Sequence, residues 1–383
     1  MMISPEISFL LGVVIFWVIL YALSRVVRLD KYGLKVKPFY FMYRSKALNE
    51  TLDNWAKKGR KFWLVLSNIS IAFGVGLMIF SVYFLVNNLL KFIYPIGVAA
   101  PVFPVLPVIT IRFYWLYYFF VAVVVVIWMH ELAHGVIARL EKIPVLSTGV
   151  LAALVFFGAF VEPDEKEFER APVLSRLRML AVGSSTNLVT ALLVFLLLSG
   201  LFISPAGVLI HEIVPGGPMD EAGFQNWDVI LAINNQTLIT QTDFYEYMKH
   251  VKPNETLTLS VLHANQKVKR DIKTIAAEEN KSRAIIGVFQ LSSYHPNRLG
   301  LDQYTGIHLF WTLFWIYLLS LSVAVFNMFP LYPFDGEKFL YYTLERLLGK
   351  QKLKFRKILN VVFLGLLAGN MILSFARYGL VPI

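Results

Sequence analysis

Long apolar runs separated by short charged stretches set the layout of this chain. Residues 7–22, 62–90, 113–140, 179–203, 307–329 and 358–376 are predominantly apolar, and about twenty such residues in a helix cross the hydrocarbon of a bilayer. The pattern therefore predicts about six transmembrane helices. The run 146–161 is shorter and holds Gly149 and Gly158, which predicts a membrane-dipping hairpin rather than a span. Residues 94–111 hold four prolines and no acid or base, as suits an interfacial or re-entrant loop. Between 205 and 291 the texture changes. Short β-like runs at 208–214, 229–233 and 257–262 alternate with turn residues, and 242–251 reads as a helix, so a small soluble domain is inserted between the fourth and fifth spans.

Charge orients this layout. Residues 25–61 carry eleven Lys and Arg against three acids, and a second basic stretch holds Lys338, Arg346, Lys350, Lys352, Lys354, Arg356 and Lys357. Basic loops stay in the cytoplasm, and counting spans from them puts the insert outside. The first apolar run lacks a basic segment before it and a small-residue cleavage site after it, so it reads as a retained anchor. Of 383 residues, 57% are hydrophobic and 16% charged, a balance that a wetted surface excludes. The net charge of +11 does not point to nucleic acid, because the basic residues follow the inner loops. Cysteine is absent, so any metal must sit on His, Asp or Glu.

One constellation carries chemistry. The third span contains His130-Glu131-Leu132-Ala133-His134. Helical residues four apart share a face, so both imidazoles can converge on one ion, with Glu131 beside them as general base. Ionisable groups inside a span are costly unless they serve a site. A third protein ligand is still needed. Glu162, Asp164, Glu165 and His308 are near the membrane segments, but Asp335 is the best placed. It follows the fifth span in Asn327-Met328-Phe329-Pro330-Leu331-Tyr332-Pro333-Phe334-Asp335-Gly336. Pro330 and Pro333 must break the helix there, and unwound backbone at membrane depth belongs in a pocket wall.

The two motifs, His130-Glu131-x-x-His134 and Asn327-x-x-Pro330-x-x-Pro333-x-Asp335-Gly336, resemble those of the site-2 protease family of intramembrane metalloproteases. The resemblance implies one Zn²⁺ held by His130, His134 and Asp335, with Glu131 catalytic and Asn327, Pro330, Pro333 and Gly336 shaping the pocket. Phe157-Gly158-Ala159-Phe160-Val161-Glu162-Pro163 is similar to the segment that follows the first motif in archaeal-like members. Asn187, after Gly183-Ser184-Ser185-Thr186, matches a Gly-Pro-x-x-Asn pattern in which Ser184 replaces the proline. Its amide could donate to the oxyanion of the reaction or bond between helices. In the insert, the segment from Val214-Pro215-Gly216-Gly217 to Asp228-Val229-Ile230 resembles a circularly permuted PDZ domain, with Trp227 where such domains carry Gly.

The expected protein is thus a polytopic α-helical membrane protein with an extracytoplasmic PDZ-like α/β domain. Its regions are 1–204 with four spans, 205–291 as the PDZ-like domain, and 292–383 with two spans. The expected activity is zinc-dependent hydrolysis of peptide bonds within transmembrane segments of other membrane proteins, in a cell membrane and toward its cytoplasmic leaflet. The insert would gate access or hold a peptide or ectodomain ligand. The rival readings are a membrane zinc protease acting on soluble or misfolded proteins, and a non-catalytic PDZ-bearing scaffold, which would have no use for Glu131.

Overall fold

The computed structural model describes residues 5–27, 29–94, 97–107, 109–348 and 352–379; Lys350 of the second basic stretch lies outside them. The chain divides into two compact units, one running to Leu192 and resuming at Trp315, the other Leu193–Phe314.

The first unit begins with α1 (Pro5–Val26), followed by β1 (Leu34–Lys37), β2 (Tyr40–Ser45), α2 (Asn49–Lys58) and α3 (Arg60–Ile93). Next come α4 (Leu116–Leu140), β3 (Val145–Ala153), β4 (Phe156–Pro163), α5 (Glu165–Arg170) and α6 (Val173–Leu201). Six helices among the described residues are long and apolar enough to cross a membrane: Ile7–Val26, Arg60–Ile93, Phe113–Leu140, Val173–Leu201, Gln303–Asn327 and Leu353–Tyr378. A helix satisfies its own backbone, which hydrocarbon cannot do.

Residues 146–161 do form a hairpin, and it is made of β-strands. β3 and β4 join β1 and β2 in one four-stranded antiparallel sheet of order β1-β2-β3-β4. The basic stretch 25–61 therefore contributes two strands that its charge concealed. Leu34-Lys35-Val36-Lys37 alternates half-buried and exposed positions, the period of a strand with one covered face. The proline-rich stretch has irregular backbone, and buried polar side chains satisfy it. Asn88 donates to Ala100 O at 2.9 Å and accepts from Ala100 N at 2.7 Å, while Val102 N donates to Ser374 Oγ at 2.9 Å.

The second unit holds β5 (Val208–Ile213), α7 (Pro218–Glu221), β6 (Val229–Ile233), β7 (Gln236–Thr237), α8 (Gln241–Met248), β8 (Thr256–His263) and β9 (Gln266–Lys273). It continues with β10 (Ile275–Ala276), β11 (Ala284–Ile285) and β12 (Val288–Ser293). The main sheet runs β12-β5-β6-β8-β9, with β7 paired to β6 and a separate β10-β11 pair. Alternate residues of these strands, including Ile210, Ile230, Leu257, Leu259 and Val261, pack with Met219 and Phe244 into one core. A capping box at Thr240 and Asp243 starts α8. Trp227 has φ +74°, the left-handed region in which glycine is usual. The position thus demands the conformation of the residue it replaces.

The chain ends with α9 (Gln303–Asn327), α10 (Asp335–Leu348) and α11 (Lys352–Tyr378). The break between α9 and α10 falls at the two prolines, as their missing N–H groups require.

Candidate metal centre

His130 and His134 lie one turn apart on α4 and both are buried. Their Nε2 atoms are 3.1 Å apart. Asp335, the first residue of α10, brings Oδ2 to 3.1 Å from His134 Nε2 and 3.3 Å from His130 Nε2. A tetrahedral ion with bonds near 2.0–2.1 Å has ligand-to-ligand edges of about 3.3–3.4 Å. The three atoms therefore form one face of a tetrahedron of the size zinc requires, and the nitrogen and oxygen donors suit it.

The groups behind the imidazoles fix their ligating nitrogens. His134 Nδ1 lies 2.7 Å from Met179 O; a carbonyl only accepts, so Nδ1 carries the proton and Nε2 presents its lone pair. His130 Nδ1 is 3.1 Å from the amide of Asn187, which is fully buried. With Nδ2 toward His130, Asn187 Oδ1 has no hydrogen-bond partner among the described residues. Turning the amide end for end sets Oδ1 against a protonated Nδ1 and frees His130 Nε2 for a metal. Asn187 thus stands behind His130, on the side away from the ligand atoms.

Met179, Gly183 and Asn187 follow one another at helical spacing of four on α6, so they share a face. Gly183 is the member that sequence reasoning missed. A Cβ at this position would lie 2.4 Å from His134 Nε2 and 2.7 Å from His130 Nε2, so its bare Cα faces the ligand atoms. The signal that could have found it is this four-residue step back from Asn187.

The turn between α9 and α10 aims the carboxylate. Asn327 donates from Nδ2 to Asp335 Oδ2 at 2.7 Å, and the same nitrogen is 3.0 Å from His130 Nε2. Pro330 is buried and Pro333 exposed, so the first packs inward while the second shapes the outside of the turn. Gly336 sits against the backbone carbonyls of Met328 and Phe329 so closely that a Cβ could not be placed. That close approach folds the turn back and sets Asp335 beside the histidines.

Glu131 lies next to His130, and its Oε2 accepts from Val161 N at 2.9 Å. This bond joins α4 to the edge strand β4. The other ligand candidates lie elsewhere, Glu165 being exposed in the first turn of α5. Glu162 pairs with Arg44 and accepts from Ser147 at 2.5 Å, Asp164 caps α5, and His308 packs on Trp227 in the second unit. Among the described residues, His130, His134 and Asp335 are the group able to hold an ion.

The sequence profile of peptidase family M50 matches residues 118–369, which include both motifs. The chain belongs to this family. It is accordingly a metalloprotease, and with its apolar helices a multi-pass membrane protein. An uncharacterized protein of Methanocaldococcus jannaschii is 27% identical over 338 residues, covering 85% of this chain and 82% of that protein. The zinc metalloprotease RasP of Oceanobacillus iheyensis is 23% identical over 245 residues, covering 50% of this chain and 56% of the relative. The chain therefore spans about half the length of that relative. Among solved structures, the PDZ domain of an SdrC-like protein from Listeria monocytogenes is 20% identical, covering 22% of this chain and 88% of that one with a TM-score of 0.21.

Proposed function

We propose that this chain is a zinc-dependent intramembrane protease that cuts transmembrane segments of other membrane proteins. The observation that carries the reading is the meeting of two imidazoles from one apolar helix with a carboxylate 201 residues later, with Glu131 beside them, held by Val161 N, as the general base. His130, His134 and Asp335 would hold zinc, and Asn187 would orient His130. Zinc, when bound, acidifies water and polarises the scissile carbonyl. Glu131 takes the proton from the attacking water and delivers it to the nitrogen of the leaving strand. Asn327, already donating to Asp335, keeps that carboxylate turned toward the histidines. A helical carbonyl is hydrogen-bonded within its own helix, so the substrate must unwind locally before it can be cut.

The basic stretches 25–61 and 338–357 support an active site toward the cytoplasmic leaflet of a cell membrane, with the second unit outside. There it would act as a PDZ-like gate, admitting or holding a peptide or ectodomain.

The test is mass spectrometry of products from a model transmembrane substrate incubated with the full chain, with and without a zinc chelator. Cleavage should stop on chelation. Glu131→Gln should also abolish it while zinc stays bound at one ion per chain. Cleavage by the metal-free chain, or by Glu131→Gln, would refute the proposal.

A further inference from the structure

The general base forms one wall of a second feature that the peptide-cutting chemistry does not itself require. A cavity of about 370 Å³ lies between α4 and the sheet, bordered by Tyr43, Trp128, Glu131, Leu132, Val150 and Ala159. Its origin is visible in the strand pairing. Tyr43 pairs with Val150 and Val150 with Ala159, and two residues along, Ser45 pairs with Thr148 and Thr148 with Val161. Directly paired residues, and residues two apart, share a face, so all six look toward the same side. Trp128, Glu131 and Leu132 occupy one face of α4 at helical spacing.

At the Val161 rung the two layers are in contact: a Cβ on Gly135 of α4 would stand at an ordinary packing distance, 3.4 Å, from Val161 Cγ2. At the next rung, Ala159 offers only a methyl, and the layers part. The space that opens exceeds a leucine or phenylalanine side chain, and apart from Glu131 its walls are largely aromatic and aliphatic.

We infer that this cavity is a specificity pocket that receives one bulky apolar side chain of the substrate, from a residue flanking the scissile bond. The inference rests on the proteolytic reading above. Glu131 must reach water at the scissile carbonyl, and Glu131 also lines the cavity, so a peptide placed for cutting has a neighbouring side chain at its mouth. An extended peptide directs successive side chains to opposite sides, so a single flanking position is selected. In a bilayer, lipid offers an apolar side chain as good a medium as the pocket does. Selection therefore comes from close packing, and the walls that set it are Ala159, Trp128 and Leu132.

The experiment uses the full chain in detergent with a model transmembrane substrate whose cut site is mapped, varied through Ala, Leu and Phe at each flanking position. A missing or extra methylene in a fitted pocket changes kcat/KM by roughly tenfold or more. At one flanking position, Leu or Phe should therefore exceed Ala by at least about tenfold. Ala159→Phe should erase that preference, and Trp128→Ala should extend it to Trp, with zinc content unchanged in both. A photo-crosslinking residue in place of Ala159, in the Glu131→Gln background, should capture the substrate beside its cut site. Cleavage with preferences untouched by both variants would overturn the pocket, as would capture of lipid alone. Capture of the substrate in the Glu131→Gln background, together with no cleavage by the chain that keeps Glu131, would sustain the pocket while rejecting the proteolytic reading.

Discussion

Gly183 offers the most direct test of the metal centre, because a single methyl group interrogates it. The Cβ of Gly183→Ala would stand 2.4 Å from His134 Nε2, 2.6 Å from His130 Cε1 and 2.7 Å from His130 Nε2. Ordinary carbon–nitrogen contact is near 3.4 Å, so the imidazoles or α6 must give way by roughly 1 Å, whereas metal–ligand distances tolerate only about 0.2 Å. Loss of properly placed ligands should lower zinc affinity at least about 100-fold, which is about 2.7 kcal/mol. Helix propensity pushes the other way, since Ala is favoured over Gly by about 1 kcal/mol in a helix interior. A chain that keeps its fold and loses its zinc thus isolates the steric effect. The assay is competition for zinc against a chelator of known affinity, with metal counted by mass spectrometry. Gly76→Ala on α3 is the control, because a Cβ there would have nothing within 4 Å. Wild-type zinc affinity in Gly183→Ala would refute the geometry argued for the site.

Asp335→Ala should reduce zinc content well below one ion per chain; an unchanged ratio would pass the third position to another residue. Asn187→Ala should weaken zinc binding about 10- to 100-fold, as removing a partner of a ligating histidine does, and Asn187→Asp, which keeps an acceptor toward His130 Nδ1, should restore most of it. Equal losses in both variants would mean that Asn187 only packs. In the second unit, burial pushes the His211 imidazole down to about 3, against about 6.5 in an unfolded chain. The folded unit therefore binds fewer protons, its stability is full above about pH 6.5, and at pH 5 it has lost about 2 kcal/mol. Hydrogen exchange of β5 and β12, corrected for intrinsic rates, should show that loss, and equal protection at pH 7 and pH 5 would contradict it.

The parts of this site that repeat with a period were readable before any coordinates. His130 and His134, four apart on an apolar helix, had to face one way, and their Nε2 atoms are 3.1 Å apart. Asp335 was legible because two prolines force a break where a carboxylate follows. The parts that depend on backbone were not. Met179 contributes only its carbonyl and Val161 only its N–H, and any residue type supplies those. Gly183 stood in the sequence as one glycine of a transmembrane run, and its meaning depends on which helix lies opposite. The strands β1 and β2 were masked for another reason. Lys35 and Lys37 on the exposed face of β1, with Arg44 in β2, gave residues 25–61 the look of a cytoplasmic loop, although the alternation in β1 already had the period of a strand.

What holds the centre together follows from the medium. Apolar side chains gain little by meeting each other in lipid, so helices associate through close packing and polar contacts. The glycines around the site supply the closeness. A Cβ on Gly74 of α3 would meet Ala181 at 3.1 Å and Met328 at 3.2 Å, one on Gly135 of α4 would meet Leu52 at 2.9 Å, and one on Gly336 would meet Met328 O at 2.2 Å. Met328 is touched from both sides, by α3 and by the turn that carries Asp335. Displacing it by enlarging either glycine would swing the carboxylate away from histidines that the other helices hold in place. The amides of Asn187 and Asn327 aim the ligands, but the helices that carry them are set by residues without side chains, and the metal centre is only as firm as those backbone contacts.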